Sequence, residues 1–136
     1  MQLTPLIAVH MTAATAAVVI GPVALWARRG RTQRPVLHRA FGYAWVTLIL
    51  LTAGTAIFIR DFSLPNLGGY TAIHLSVPVV FAVLFGAFYA LAKGNVRRHR
   101  VAMQMLYLSA CIVSGALTLL PSRYLGHLLW TSVGLA

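Results

Sequence analysis

Histidine is the residue type in this chain best suited to chemistry, and four of its five histidines form a pattern. His10 and His74 lie near the starts of two long apolar runs. His38 and His99 each follow an arginine-rich stretch and precede another arginine, in RPVLHRAFGY (34–43) and NVRRHRVAMQ (95–104). The order is H-x27-H-R, then H-x24-H-R. Imidazole titrates near neutral pH and binds metals through either ring nitrogen. Other chemistries are thinly supplied. The single acid is Asp61 and there is no glutamate, which excludes paired-carboxylate catalysis and carboxylate-bridged di-iron sites. No Ser-His-Asp or Cys-His arrangement is readable. Cys111 is the only cysteine, so no internal disulfide forms, and its place inside an apolar run suits packing.

The elements that must position these histidines are membrane spans. Of 136 residues, 60% are hydrophobic, far above an ordinary soluble domain. The apolar residues fall into runs at 3–27, 40–59, 70–92 and 101–120. Each reaches the roughly 20 residues that cross about 30 Å of hydrocarbon as a helix. The runs are too long, and alternate too little, for strands. The net charge of +10 is concentrated between runs one and two (Arg28, Arg29, Arg31, Arg34, Arg39) and between runs three and four (Lys93, Arg97, Arg98, Arg100). Between runs two and three, Arg60 is offset by Asp61. This is the positive-inside pattern. It places both basic loops in the cytoplasm and both termini in the periplasm of a bacterial inner membrane, with the lipid bilayer as first partner and anionic headgroups near the arginines. Nucleic acid is not an expected partner, since no soluble domain presents the charge. The first run lacks a basic n-region and a clear small-residue cleavage site, so it reads as a retained span.

The chain also repeats. IAVHMTAATAAVVIGPVALWARRG (7–30) lies over TAIHLSVPVVFAVLFGAFYALAKG (71–94), with His10 on His74 and Gly30 on Gly94. After a three-residue deletion, His38-Arg39 falls on His99-Arg100 and Gly54 on Gly115. Each half holds two spans, so the halves share one orientation, as parallel repeats about an axis along the membrane normal. The expected fold class is therefore all-α. It is a four-transmembrane-helix bundle from two parallel tandem helical-hairpin repeats, with a short C-terminal interfacial segment. We read one integral membrane domain over 1–136, with repeat one at 3–60, repeat two at 70–120 and the tail at 121–136. His127 has no repeat partner and lies with Arg123, Tyr124 and Trp130 in that tail, which suits an interfacial anchor.

The spans set the depths. His10 and His74 form an outer layer and His38 and His99 an inner one, roughly 20–25 Å apart at 1.5 Å per residue. In a four-helix bundle, helices one and three can face each other diagonally, as can two and four. Each layer then offers two converging imidazoles, the axial set of a six-coordinate haem iron. Zinc, which prefers four ligands or three plus water, fits less well, and two-histidine copper is an alternative. Small residues on helix one (Ala13, Ala14, Ala16, Ala17, Gly21) and Gly42 on helix two would let a macrocycle approach the backbone, although small residues also serve helix packing. Arg39 and Arg100, with Arg97 and Arg98, stand where propionates would emerge, and serve topology equally well. A competing reading has the histidines at the interface or hydrogen-bonded across helices. Pro78 removes a helical bond to the His74 carbonyl, and Pro22 does similar work late in helix one. Tyr43, Trp45, Tyr89 and Tyr107 read as interface or core aromatics.

The two H…H-R hairpins resemble a family of small bacterial four-helix membrane proteins of unknown function, over nearly the whole chain. In architecture they also resemble the dihaem core of cytochrome b561-type proteins. That resemblance implies two b haems, with axial histidines from helices one and three (His10, His74) and two and four (His38, His99). It lacks the flanking helices of the larger members. The expectation is a b-type dihaem membrane cytochrome carrying electrons across the inner membrane, with a quinol or a redox protein as partner. Two alternatives stand beside it. One is a cofactor-free accessory or assembly subunit of a larger membrane complex, and the other a histidine-dependent transporter of protons, metal or small solutes.

Overall fold

The structure, a computed structural model, describes residues 3–60, 62, 65–121 and 123–134. Asp61, the lone acid, lies outside the described residues, as do both extreme ends of the chain. The helices are α1 (Pro5–Trp26), α2 (Pro35–Ala56), α3 (Ser76–Ala92), α4 (Val96–Leu106), α5 (Ser114–Thr118) and α6 (Tyr124–Ser132). A 3-10 turn, Ala72–Leu75, leads into α3, and a π-helical stretch, Tyr107–Val113, joins α4 to α5. Four helices are long and apolar enough to cross a membrane: Pro5–Trp26, Pro35–Ala56, Ala72–Ala92 and Val96–Thr118. The described residues contain no strand. The molecule is an all-α bundle of membrane-spanning length.

The second and fourth spans start earlier than their apolar runs, at Pro35 and Val96. Hydropathy marks where a helix becomes greasy; backbone caps mark where it begins. Pro35 stands at the first helical position, where its missing N–H is no loss. Asn95 caps the fourth span by accepting the Arg98 N–H at 2.9 Å. The next bonds are equivalent in the two repeats, His38 N–H to the Arg34 carbonyl and His99 N–H to the Asn95 carbonyl. Each His-Arg pair thus lies on the opening turns of a helix. The basic loops match as well. Gly30 and Gly94, aligned by sequence, both take left-handed backbone (φ 57° and 74°), which glycine adopts without a Cβ penalty. At Gly94 the turn closes with Asn95 N–H to Ala90 O and Gly94 N–H to Leu91 O, a Schellman ending.

α1 packs along α2 and α3 along α4, the two hairpins of the repeat. Between hairpins, α2 meets α3 and α1 meets the π-helical stretch. This is the ring order of an up-down bundle, with α1/α3 and α2/α4 on its diagonals. The interior is a stripe from each helix. α1 contributes Ala13, Ala17, Gly21 and Ala24, and α2 contributes Trp45, Ile49 and Ala53. α3 contributes Val80, Leu84 and Ala87, and the fourth span Leu106 and Cys111. Small residues on α1 let the backbones approach closely, which replaces the hydrophobic driving force that is missing between helices in lipid. Large apolar side chains such as Val19, Phe85 and Leu108 point outward, as lipid contact requires.

Candidate functional site: two layers of histidine

At the inner end, four helices enclose a cleft of about 180 Å³. His38 lines it from α2 and His99 from α4, so the two repeat-related imidazoles share one cavity. Helical spacing brings the rest. On α2, Gly42 and Trp45 follow His38 by one and two turns; on the fourth span, Met103 and Tyr107 follow His99 in the same way. α1 supplies Gly21 and Ala24, and α3 supplies Phe88, whose ring centroid is 6.0 Å from that of His99.

Each imidazole is oriented by the helix before it. His38 Nδ1 lies 2.8 Å from the Ala24 carbonyl, and His99 Nδ1 lies 3.1 Å from the Ala87 carbonyl. A carbonyl only accepts, so in the neutral ring both Nδ1 atoms carry the proton and both Nε2 atoms are bare. No described residue hydrogen-bonds either Nε2. A ring held through one N–H, with the other nitrogen bare, is how a metal-ligating histidine is usually prepared.

The far wall depends on Pro22. Proline has no N–H, so the Val18 carbonyl loses its donor within α1. Tyr107 supplies the replacement, its hydroxyl donating to Val18 O at 3.0 Å. The Tyr107 ring lies beside Trp45, centroids 6.4 Å apart, and both rings close over Gly21. A Cβ at Gly21 would stand 2.6 Å from Tyr107 Cε2 and 2.8 Å from Trp45 Nε1. The Trp45 indole N–H is buried with no nitrogen or oxygen acceptor among the described residues. Trp45 and Tyr107 therefore belong to the cavity, not only to core or interface. Their spacing from His38 and His99 carried that signal.

Arg39 also lines the cavity. Arg100, its repeat partner, is exposed and not part of the lining. Arg97 and Arg98 flank a separate shallow depression with Asn95.

The outer layer is built differently. His10 is half-buried and its Nδ1 lies 3.1 Å from the Thr52 carbonyl and 3.0 Å from Thr55 Oγ1, at the far end of α2. Its Nε2 has no partner among the described residues. His74 sits in the 3-10 turn. Its Nδ1 accepts the Thr71 N–H at 3.1 Å, and its Nε2 donates to the Ile59 carbonyl at 2.9 Å. Both of its nitrogens are engaged. With the third span opening on this turn, Pro78 falls in the first turn of α3, where no helical N–H is needed. Nothing in the sequence pattern marks Thr52, Thr55 or Thr71; only the fold brings them to the histidines. His127, on α6, is exposed and apart from both layers, and Trp130 Nε1 ties α6 back to the Leu119 carbonyl at 2.9 Å.

Among the described residues no three His, Cys, Asp or Glu side chains gather, so donors come at most in pairs. Residues 7–128 match the family of predicted membrane proteins DUF2306. The chain belongs to this family. The match spans both hairpins and all four histidines of the two layers, and the family description assigns no activity. No curated protein and no solved structure matches the chain.

Proposed function

We propose that this DUF2306 member is a b-type membrane cytochrome whose haem is held between His38 and His99. One observation carries the reading: two repeat-related imidazoles share a cavity, each fixed through Nδ1 and each with a bare Nε2. Haem bound there supplies one-electron redox chemistry at its iron. The chain's own residues do the rest. The Ala24 and Ala87 carbonyls hold the ring tautomers and orientations, leaving each Nε2 to meet a metal. Ala24 and Gly42 line the space open to a flat macrocycle, Gly21 lets Tyr107 and Trp45 close against α1, and Trp45, Phe88 and Tyr107 wall it with aromatic surface. Arg39 at the rim suits a propionate carboxylate. The enclosed space is below the roughly 300–1,000 Å³ of pockets that surround whole ligands. A macrocycle held by these histidines would extend beyond the enclosed volume of the cleft.

The positive-inside pattern of the two basic loops supports a cytoplasmic position for this layer, at the inner membrane, with both termini outside. A quinol or a redox protein is the electron partner that this position suits. Passage across the whole bilayer would also need a second haem between His10 and His74, and there the geometry is less prepared. An accessory-subunit role would use small-residue helix faces for docking, but those of α1 are turned into its own bundle.

The test is a reduced-minus-oxidised spectrum of protein purified after expression with adequate haem. A b-type spectrum is expected, abolished by His38→Ala or His99→Ala and kept by His127→Ala. A colourless, monodisperse protein would sink the proposal, as would pigment indifferent to both inner histidines.

A further inference from the structure

The outer layer departs from the plan that the repeat suggests, and the departure is localised at His74. Three of the four layered histidines present a bare Nε2; His74 does not. Its Nε2–H donates to Ile59 O, and its Nδ1 accepts from the backbone of Thr71. The second bond belongs to a capping box, with the Thr71 hydroxyl serving the His74 backbone in return. The His74 backbone N–H also reaches the Thr71 carbonyl at 2.9 Å. His74 is thus the residue that starts the third span.

It also organises the segment before that span. Tyr70 stands edge-on to the His74 ring, centroids 5.1 Å apart, and its hydroxyl donates to Ile57 O at 3.2 Å. The Arg60 guanidinium lies 3.8 Å over the Tyr70 ring and donates to Gly68 O at 2.7 Å. Gly68 and Gly69 turn the chain with φ of 61° and 85°, bringing Leu67 and Tyr70 into mutual backbone bonds. The Ile59 and Thr71 contacts from His74 close this structure onto the bundle end. Ligation of iron through Nε2 would require giving up the Ile59 bond.

We propose that the chain carries a single haem, at the inner layer, and that His74 is a clasp tying Ile59, beyond the end of α2, to Thr71, before the third span, rather than an iron ligand. The haem count rests on the cytochrome reading above; the clasp does not. Two variants separate the roles. His74→Gln keeps an amide donor for Ile59 O and is a poor iron ligand. His74→Ala removes both.

The experiment measures haem per polypeptide and Tm for the full-length protein and both variants. One haem per chain is expected in all three. His74→Ala should melt lower by about 5 °C, the scale of one or two lost hydrogen bonds, and His74→Gln should recover most of that. Two haems per chain, or loss of about half the pigment in His74→Gln, would overturn the proposal. Identical melting of His74→Ala and the parent would overturn the clasp. If the parent protein is colourless, the cytochrome reading and the haem count fall together, and the clasp is still decided by the melting of the two variants.

Discussion

A histidine is defined here by what holds its other nitrogen. His38 and His99 are fixed by carbonyls of the neighbouring helix and present Nε2; His74 spends both nitrogens on backbone. The sequence placed all four side chains by depth but could not distinguish these states, because Ala24, Ala87 and Ile59 act through main-chain oxygens that any residue type supplies. Tyr107 is a similar case. Its hydroxyl serves the carbonyl that Pro22 strands, so the two residues should be coupled. Tyr107→Phe should cost about 0.5–1.5 kcal/mol as Val18 O loses its donor. Pro22→Ala restores a helical donor, so in that background the Tyr107→Phe penalty should shrink. A double-mutant cycle by thermal or denaturant unfolding reads the coupling, and strictly additive effects would contradict it.

Glycines on the helices divide by what faces them. Gly21 is pinned under Tyr107 and Trp45, so Gly21→Ala should force both rings to shift, costing about 1–3 kcal/mol, and should lower haem content. Gly42 lines the same cavity with nothing within 4 Å of its Cβ position. Gly42→Leu should therefore fold, with a normal elution profile and helical circular dichroism, yet exclude haem. A Gly42→Leu protein that keeps full pigment would place the haem elsewhere. The four spans and their pairing into hairpins were legible in hydropathy and in the repeat. The starts of α2 and α4 were not, since caps and a leading proline extend those helices into charged sequence. The π-helical stretch Tyr107–Val113, which meets α1, left no mark in the hydropathy pattern either.

For the whole molecule, charge and repeat act together. An even number of spans in each half leaves both basic loops, 27–34 and 93–95 with the arginines that follow, at one end of the bundle. By the positive-inside rule, the proposed orientation has that end, next to the His38/His99 cavity, facing the cytoplasm. A periplasm-active reporter fused after Ala136 should be active, and a cytoplasm-active one silent. The reverse pattern would turn the His38/His99 layer to the outside, and the proposed cytochrome would then need an extracytoplasmic electron partner. The ring order α1-α2-α3-α4 was implied by duplication, which puts repeat-related helices on diagonals. Its consequence, a cavity with one histidine from each half, is the feature on which the functional account stands.

That feature is tested most directly by electron paramagnetic resonance of the oxidised, purified protein at low temperature. Two axial imidazoles give a low-spin ferric spectrum of the bis-histidine type. The account predicts this signal in the parent protein and in His74→Gln, and its loss or conversion to high spin in His38→Ala and His99→Ala. A low-spin bis-histidine signal that survives both inner substitutions and disappears in His10→Ala would contradict it.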